Sequence, residues 1–133
     1  MSRKKKGIDA ERDLIHKFWG TGKWCALRTA GSGSMHFPAP DILASNIVRK
    51  VAIECKVTKD DKKYFPKDEV KQLKNFSEYF GAEPWIAVKF FRTSWFFLNI
   101  EDLRETKKSY VINKRNAILK GLSLKEFIGE GFE

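Results

Sequence analysis

The sequence has little of what marks membrane, secreted or zinc-bound proteins. No apolar run in its 133 residues approaches the roughly 18 needed to span a bilayer. The basic start, Arg3, Lys4, Lys5 and Lys6, leads into a polar segment with no apolar stretch behind it. A signal peptide is therefore not expected, and the chain is expected to remain in the cytoplasm. There are only two cysteines, Cys25 and Cys55, each inside an apolar, strand-like run. Isolated in this way, they supply neither a disulfide framework nor a zinc site, and each is expected to be a small buried thiol. The two histidines, His16 and His36, add no Cys/His ligand set. No internal repeat is visible, and nothing resembles a zinc finger or a base-reading helix.

Positive charge and aromatics are what the chain does have. Twenty-six Lys and Arg face seventeen acids, a net charge of +9. Four of the positives fall in Arg3–Lys6, so nine less four leaves +5 on the remainder. Such an excess favours a polyanionic partner, because basic groups that neutralise phosphates release counterions. Composition alone does not choose among DNA, RNA and an anionic membrane surface. With 42% hydrophobic and 14% aromatic residues, the chain can bury a core. Its length suits one domain, read as residues 7–133 behind a basic arm of residues 1–6.

Periodicity predicts an α/β fold. Ile8, Ile15, Phe18 and Trp19 recur at helical spacing, which predicts a helix from Gly7 to Trp19, closed by Gly20 and Gly22. Trp24–Arg28 reads as a short strand, and Ala30–Ser34, with two Gly and two Ser, as a loop. Asp41–Ala44 and Val48–Val57 read as an antiparallel hairpin turning near Ser45 and Asn46, and Lys59–Lys63 as a charged surface connection. A second helix is expected from Pro66 or Lys67 to Phe80, with an apolar stripe of Val70, Leu73, Phe76 and Phe80 and a stop at Gly81. Trp85–Phe91 and Trp95–Ile100 predict an aromatic hairpin around Arg92–Ser94, and Tyr110–Ile112 a last strand. Ser123 and Glu126 have the spacing of a capping box opening a terminal helix. The sum is a single domain with a central mixed β-sheet flanked by helices.

The run Val51–Val57 carries the chemistry. Strand alternation sends Ile53, Cys55 and Val57 one way and Glu54 and Lys56 the other. An acid and a lysine on one face of an otherwise apolar strand are costly unless they pair or bind a metal. Asp41 opens the preceding strand, behind Pro40, and a tight hairpin brings it beside Glu54. Two carboxylates on adjacent strands form an oxygen nest suited to Mg²⁺, which retains waters for substrate phosphates. Lys56 can orient an attacking water and offset negative charge in the transition state. A plain Glu54–Lys56 surface ion pair is the alternative that spacing alone leaves open.

Pro40-Asp41 followed by Glu54-Cys55-Lys56 resembles the PD-(D/E)XK nuclease signature. Together with Gly7–Leu14 and Arg28–Ser34, these segments resemble the archaeal Holliday junction resolvases. The resemblance implies the restriction-endonuclease-like fold and a dimeric nuclease that resolves four-way DNA junctions by paired nicks with Mg²⁺ (Mn²⁺ substituting). It implies Glu11, Asp41 and Glu54 as metal-binding acids and Lys56 as the catalytic lysine. Ser32 or Ser34 would be the flexible-loop serine. Arg12 and Arg28 would lie near the scissile phosphate, and Gln72 would be the polar helix residue beside the site. The basic arm, Arg3, Lys4, Lys5 and Lys6, joins the expected DNA-binding surface with Lys59, Lys62, Lys63, Lys114 and Arg115. Phe90, Phe91, Trp95, Phe96 and Phe97 put aromatics on both faces of the second hairpin, and a two-fold interface is expected there and on Phe76 and Phe80, the alternative being that these aromatics simply fill one core. The chain is thus expected to act on DNA at the nucleoid in recombination and repair. Two alternatives are a nuclease of the same fold acting on other branched or duplex DNA, and a non-catalytic DNA-binding module.

Overall fold

The structure, a computed structural model, describes residues 3–29 and 39–129. Helix α1 (Arg3–Gly20) leads into β1 (Cys25–Arg28), then β2 (Ile42–Ser45) and β3 (Lys50–Val57). Strand β4 (Lys62–Pro66) runs straight into helix α2 (Lys67–Phe80), which returns through β5 (Glu83–Lys89) and β6 (Trp95–Leu98). A short 3₁₀ turn, Ile100–Asp102, precedes β7 (Arg104–Glu105), β8 (Ser109–Asn113), α3 (Lys114–Lys120) and α4 (Leu124–Ile128).

The main sheet has five strands in the order β1-β2-β3-β5-β6. Only β3 and β5 run parallel, so the sheet is mixed as expected. Parallel neighbours need a crossover, and α2 supplies it while covering one face. Strand β3 is therefore buried on both sides over residues 51–53, which is why those three residues are apolar in succession rather than alternating. Val51, Ile53 and Cys55 pack with Leu14 and Phe18 of α1 and with Phe127 of α4. Ala52 packs on the opposite side with Val70 and Leu73 of α2. Strand β5 divides in the same way, with Trp85 and Ala87 toward α1 and Ile86 and Val88 toward α2.

Several boundaries differ from the expectations. Helix α1 starts at Arg3 rather than Gly7. Lys and Arg are good helix formers, and Gly7 inside a helix costs only about 1 kcal/mol without stopping it. The charged connection at Lys59–Lys63 is partly strand: β4 pairs with β8, which pairs with β7, in a second antiparallel sheet. Phe65, fully buried in the α2-side core, draws this segment onto the body. On α2, Gly81 takes the left-handed cap at φ 78° and closes the helix onto Ser77 O, as expected. The buried stripe is Val70, Leu73 and Ser77, while Phe80 lies out on the surface. The capping box is formed: Glu126 N–H donates to Ser123 Oγ and Ser123 N–H donates to Glu126 Oε1.

The aromatic hairpin does not leave a face for a partner. Trp95 and Phe97 enter the α1-side core, Phe97 stacking on Phe127 at 4.3 Å between ring centres, while Phe90 and Phe96 pack on the α2 side. Only Phe91 remains exposed. Helices on both faces of the sheet provide cover that a hairpin viewed alone lacks. Cys55 is buried as expected, but Cys25 is exposed, on the outermost strand β1 of the sheet.

Candidate active site

The site forms where β3 passes beyond the core. Register between β2 and β3 pairs Ile42 with Ile53, so one step further Asp41 stands opposite Glu54. Opposed residues of an antiparallel pair share a face. Asp41 is held from three directions. Its N–H donates to Ile53 O at 3.0 Å, its carbonyl accepts from Thr29 N–H at 2.9 Å, and its Oδ2 accepts from Cys55 N–H at 2.8 Å. Thr29 Oγ1 also donates to the Pro40 carbonyl, tying β1 to the start of β2. Burial, a hydrogen bond with Asp41 and the Asp41 charge push Glu54 up to about 10. Without a cation, Glu54 keeps its proton at neutral pH and hydrogen-bonds with Asp41, because burial beside a neighbouring carboxyl disfavours its charge.

Lys56 follows Glu54 on the same face. Its ammonium lies 2.5 Å from Glu69 Oε1, on the first turn of α2. Burial lowers its affinity for the proton, but the hydrogen bond and charge of Glu69, then the charges of Glu54 and Asp41, outweigh burial and hold it above the usual lysine value. The simple Glu54–Lys56 ion pair that spacing allowed is replaced by a pair across to α2. Glu69 is the residue that sequence reasoning missed. Gln72, the helix residue expected in that place, is exposed one turn further along.

Glu11, from α1, accepts from Arg28 Nε at 3.2 Å, tying the first helix to the end of β1. Burial and the Asp41 charge raise Glu11, while Arg28 and Lys56 work the other way. Glu11, Asp41, Glu54 and Lys56 thus lie within electrostatic reach of one another. Among the described residues no three His, Cys, Asp or Glu side chains converge tightly enough to enclose a cation unaided. Asp41 and Glu54 meet directly, and Glu11 is engaged by Arg28.

The family model described as archaeal Holliday junction resolvase (Hjc) matches residues 2–133. This chain belongs to that family. It is 41% identical over 130 residues to the crossover junction endodeoxyribonuclease Hjc of Archaeoglobus fulgidus, covering 98% of this chain and 94% of the relative. The corresponding enzyme of Methanocaldococcus jannaschii is 32% identical over 127 residues, covering 96% and 90%. The 1.6 Å structure of the Archaeoglobus fulgidus resolvase superposes with a TM-score of 0.85 at 39% identity, over 92% of this chain and all of that one. The resemblance and the mixed-sheet fold expected from the sequence agree with these findings.

The other residues expected at the site or on the DNA-binding surface fall in several places. Arg28 is at the site through Glu11, whereas Arg12 is exposed. Ser32 and Ser34 lie outside the described residues. Arg3, Lys4, Lys5 and Lys6 belong to the first turns of α1. Lys6 lines a cavity of about 340 Å³ with Thr58, Lys59 and Lys63, immediately beyond the end of β3. Lys114 and Arg115 open α3 and line a separate hollow with Asp61, Ile118 and Leu119. No helix among the described residues is long and apolar enough to cross a membrane.

Proposed function

We propose that this chain is a structure-selective DNA endonuclease that resolves four-way junctions by paired symmetric nicks, acting as a homodimer in recombination and repair. The observation that carries the reading is the Asp41–Glu54 carboxyl pair with the Lys56 ammonium on the same strand face. Asp41 and Glu54 are the residues that would hold a divalent cation, for which we infer Mg²⁺, with Mn²⁺ able to substitute. The fit rests on the donor set: two hard carboxylates in contact and, among the described residues, no soft ligand beside them except the buried, protonated Cys55. Mg²⁺ characteristically takes one or two carboxylates and leaves its other positions to waters and phosphate oxygens. Such an ion, when bound, supplies positive charge at the phosphoryl oxygens and a more acidic water.

The chain's own groups do the rest. Lys56 presents a fixed positive charge where the pentacovalent phosphorus gathers negative charge, and it orients the water for in-line attack. Arg28, steadied by Glu11, offers a guanidinium fork to a phosphate oxygen, and Glu11 reinforces the acidic set. Lys6, Lys59 and Lys63 give the continuing DNA backbone a basic track beside the end of β3. These contacts position a backbone without reading bases, which suits recognition of shape. Ser32 or Ser34 and Gln72 would contact the substrate only once it is bound. The target places the enzyme within the cell, at nucleoid DNA.

Paired nicks need two sites, and the face that supports a second copy is on the outer strand β1. Leu27 (55% exposed), Trp19 (58%) and Phe80 (50%) stand with Cys25 and Leu43 around a shallow apolar hollow of about 410 Å³. A contiguous apolar patch of this kind marks an interface, and a two-fold axis makes one patch serve both subunits. Phe80 is the one residue of the originally expected interface that lies here. The test is incubation with a four-way junction and with linear duplex of the same arms, with Mg²⁺ and with chelator. Symmetric paired nicks in the junction alone, lost with chelator, are expected. Equal cutting of both substrates makes the enzyme a general nuclease, and binding without cutting makes it a DNA-binding module.

A further inference from the structure

We propose that Glu69 is a positioning residue for phosphodiester cleavage, its carboxylate holding the Lys56 ammonium in place on the face of β3 that carries Glu54. The inference rests on the reading of Lys56 as the catalytic lysine. Glu69 is the third residue of α2, and a Glu in that place ordinarily folds back to accept from the backbone N–H of the residue that caps the helix. Here that residue is Pro66, which has no N–H, and no side chain caps the helix. The carboxylate is therefore free to reach across to the sheet, where it meets Lys56 at 2.5 Å. Its neighbours fix its position, because Val70 and Leu73 are buried and seat this end of α2 on β3 and β5.

The pairing has a mechanical consequence. A lysine side chain is a long flexible stem with a strongly hydrated head. Beside it lie Asp41 and Glu54, the two carboxyls that would hold the cation. Without Glu69, the ammonium has those carboxyls as its nearest anions and would turn onto them, competing with the cation and leaving its place over the scissile phosphate. Glu69 keeps the lysine near the acids but not on them.

The experiment compares Glu69→Ala, Glu69→Gln, Asp68→Ala and Lys56→Ala. It measures single-turnover cleavage of a four-way junction in Mg²⁺, junction affinity in chelator, and thermal midpoint. Asp68 is the exposed acidic neighbour in the same first turn, so it controls for loss of helix-terminal charge. Glu69→Ala is expected to slow cleavage by roughly 10- to 100-fold, the scale of a misplaced catalytic group. Junction affinity should stay within about twofold, since positioning acts after binding. Glu69→Gln keeps an acceptor oxygen of the same reach and should recover part of the rate, and Asp68→Ala should cleave normally. A Glu69→Ala rate equal to that of the native chain, a loss matched by Asp68→Ala, or a loss wholly in affinity overturns the proposal. If Glu69→Ala fails to fold, the near-isosteric Gln variant decides it, and a native rate there likewise overturns it. If Lys56→Ala itself cleaves normally, the lysine reading falls and the proposal with it. An inactive Lys56→Ala beside a fully active Glu69→Ala sinks the proposal alone.

Discussion

Replacing Glu54 by Gln should abolish cleavage and yet make the protein more stable at neutral pH. Glu54 binds its proton with a value near 10 in the folded chain, against the usual 4.5. A carboxyl raised in this direction contributes fully below about pH 4.5, and its contribution is lost as pH rises toward 10. Across that window the unfolded chain gives up a proton that the folded chain keeps, so stability falls by about 1.4 kcal/mol per pH unit. At pH 7 the deficit is about 3 kcal/mol, and it does not depend on how far above 7 the folded value lies. Gln is nearly isosteric, carries no charge, and can donate to Asp41 as the protonated acid does. Glu54→Gln should therefore gain about 3 kcal/mol at pH 7, which for a domain of this size is roughly a 10 °C higher midpoint.

The assay is thermal and urea unfolding of both proteins in chelator at pH 4.5, 7 and 8.5. The gap should be close to nothing at pH 4.5 and widen steadily upward. Millimolar Mg²⁺ should narrow it by stabilising only the chain that still has both carboxylates. A Glu54→Gln protein no more stable than the native chain at pH 7, or a gap of equal size at pH 4.5, would refute the account of Glu54 as a protonated acid.

Lys56→Ala should bind junctions within about twofold of the native affinity by gel shift while cleaving roughly 100- to 1,000-fold more slowly, the usual cost of removing a transition-state charge partner. Leu27→Asp sets a charge in the exposed apolar face of β1 and should yield a folded monomer in sedimentation at micromolar concentration, whereas a dimer of native mass removes that face from the interface. Phe127→Ala should cost about 3–5 kcal/mol in urea unfolding. Its ring is fully buried against Phe97 and Trp85, and a loss below about 1 kcal/mol would show that α4 contributes little to the core.

The elements legible in the sequence were those whose signal is local. The Gly81 cap, the Ser123–Glu126 box and the Asp41–Glu54 hairpin each depend on a few adjacent residues, and each appears as expected. What escaped depends on partners distant in the chain. Strand β4 exists because β8, some fifty residues later, offers it a ladder. Helix α3 follows directly on β8, where Asn113 accepts from Asn116 N–H, in the stretch between Tyr110–Ile112 and Ser123 for which the sequence suggested no element. The aromatic hairpin was misjudged for a similar reason, since α1 and α4, near the two ends of the chain, cover one of its faces while the α2-side core takes the other. Glu69 had a usable local signal in its place three residues after Pro66. The resemblance directed attention one turn further, to Gln72.

The site and the core are made by one strand obeying one rule. Val51, Ile53 and Cys55 of β3 belong to the α1 core, while on the other face Ala52 lies under α2 and is followed by the polar Glu54 and Lys56. The change comes at the carboxyl end of a central strand, where open α/β sheets commonly place their sites. At that end three elements arrive at once: Asp41, just before β2, stands opposite Glu54, the first turn of α2 sets Glu69 beside Lys56, and β1 ends with Arg28 against Glu11. A polar pair earlier in β3 would meet only apolar side chains. Sliding β3 by one residue against β2 would turn Glu54 into the aromatic core around Phe18 and Phe127 while exposing Ile53. The core therefore enforces the register that the chemistry needs, and substitutions at Ile53 or Val51 should impair cleavage through misplacement of Glu54 before they unfold the chain.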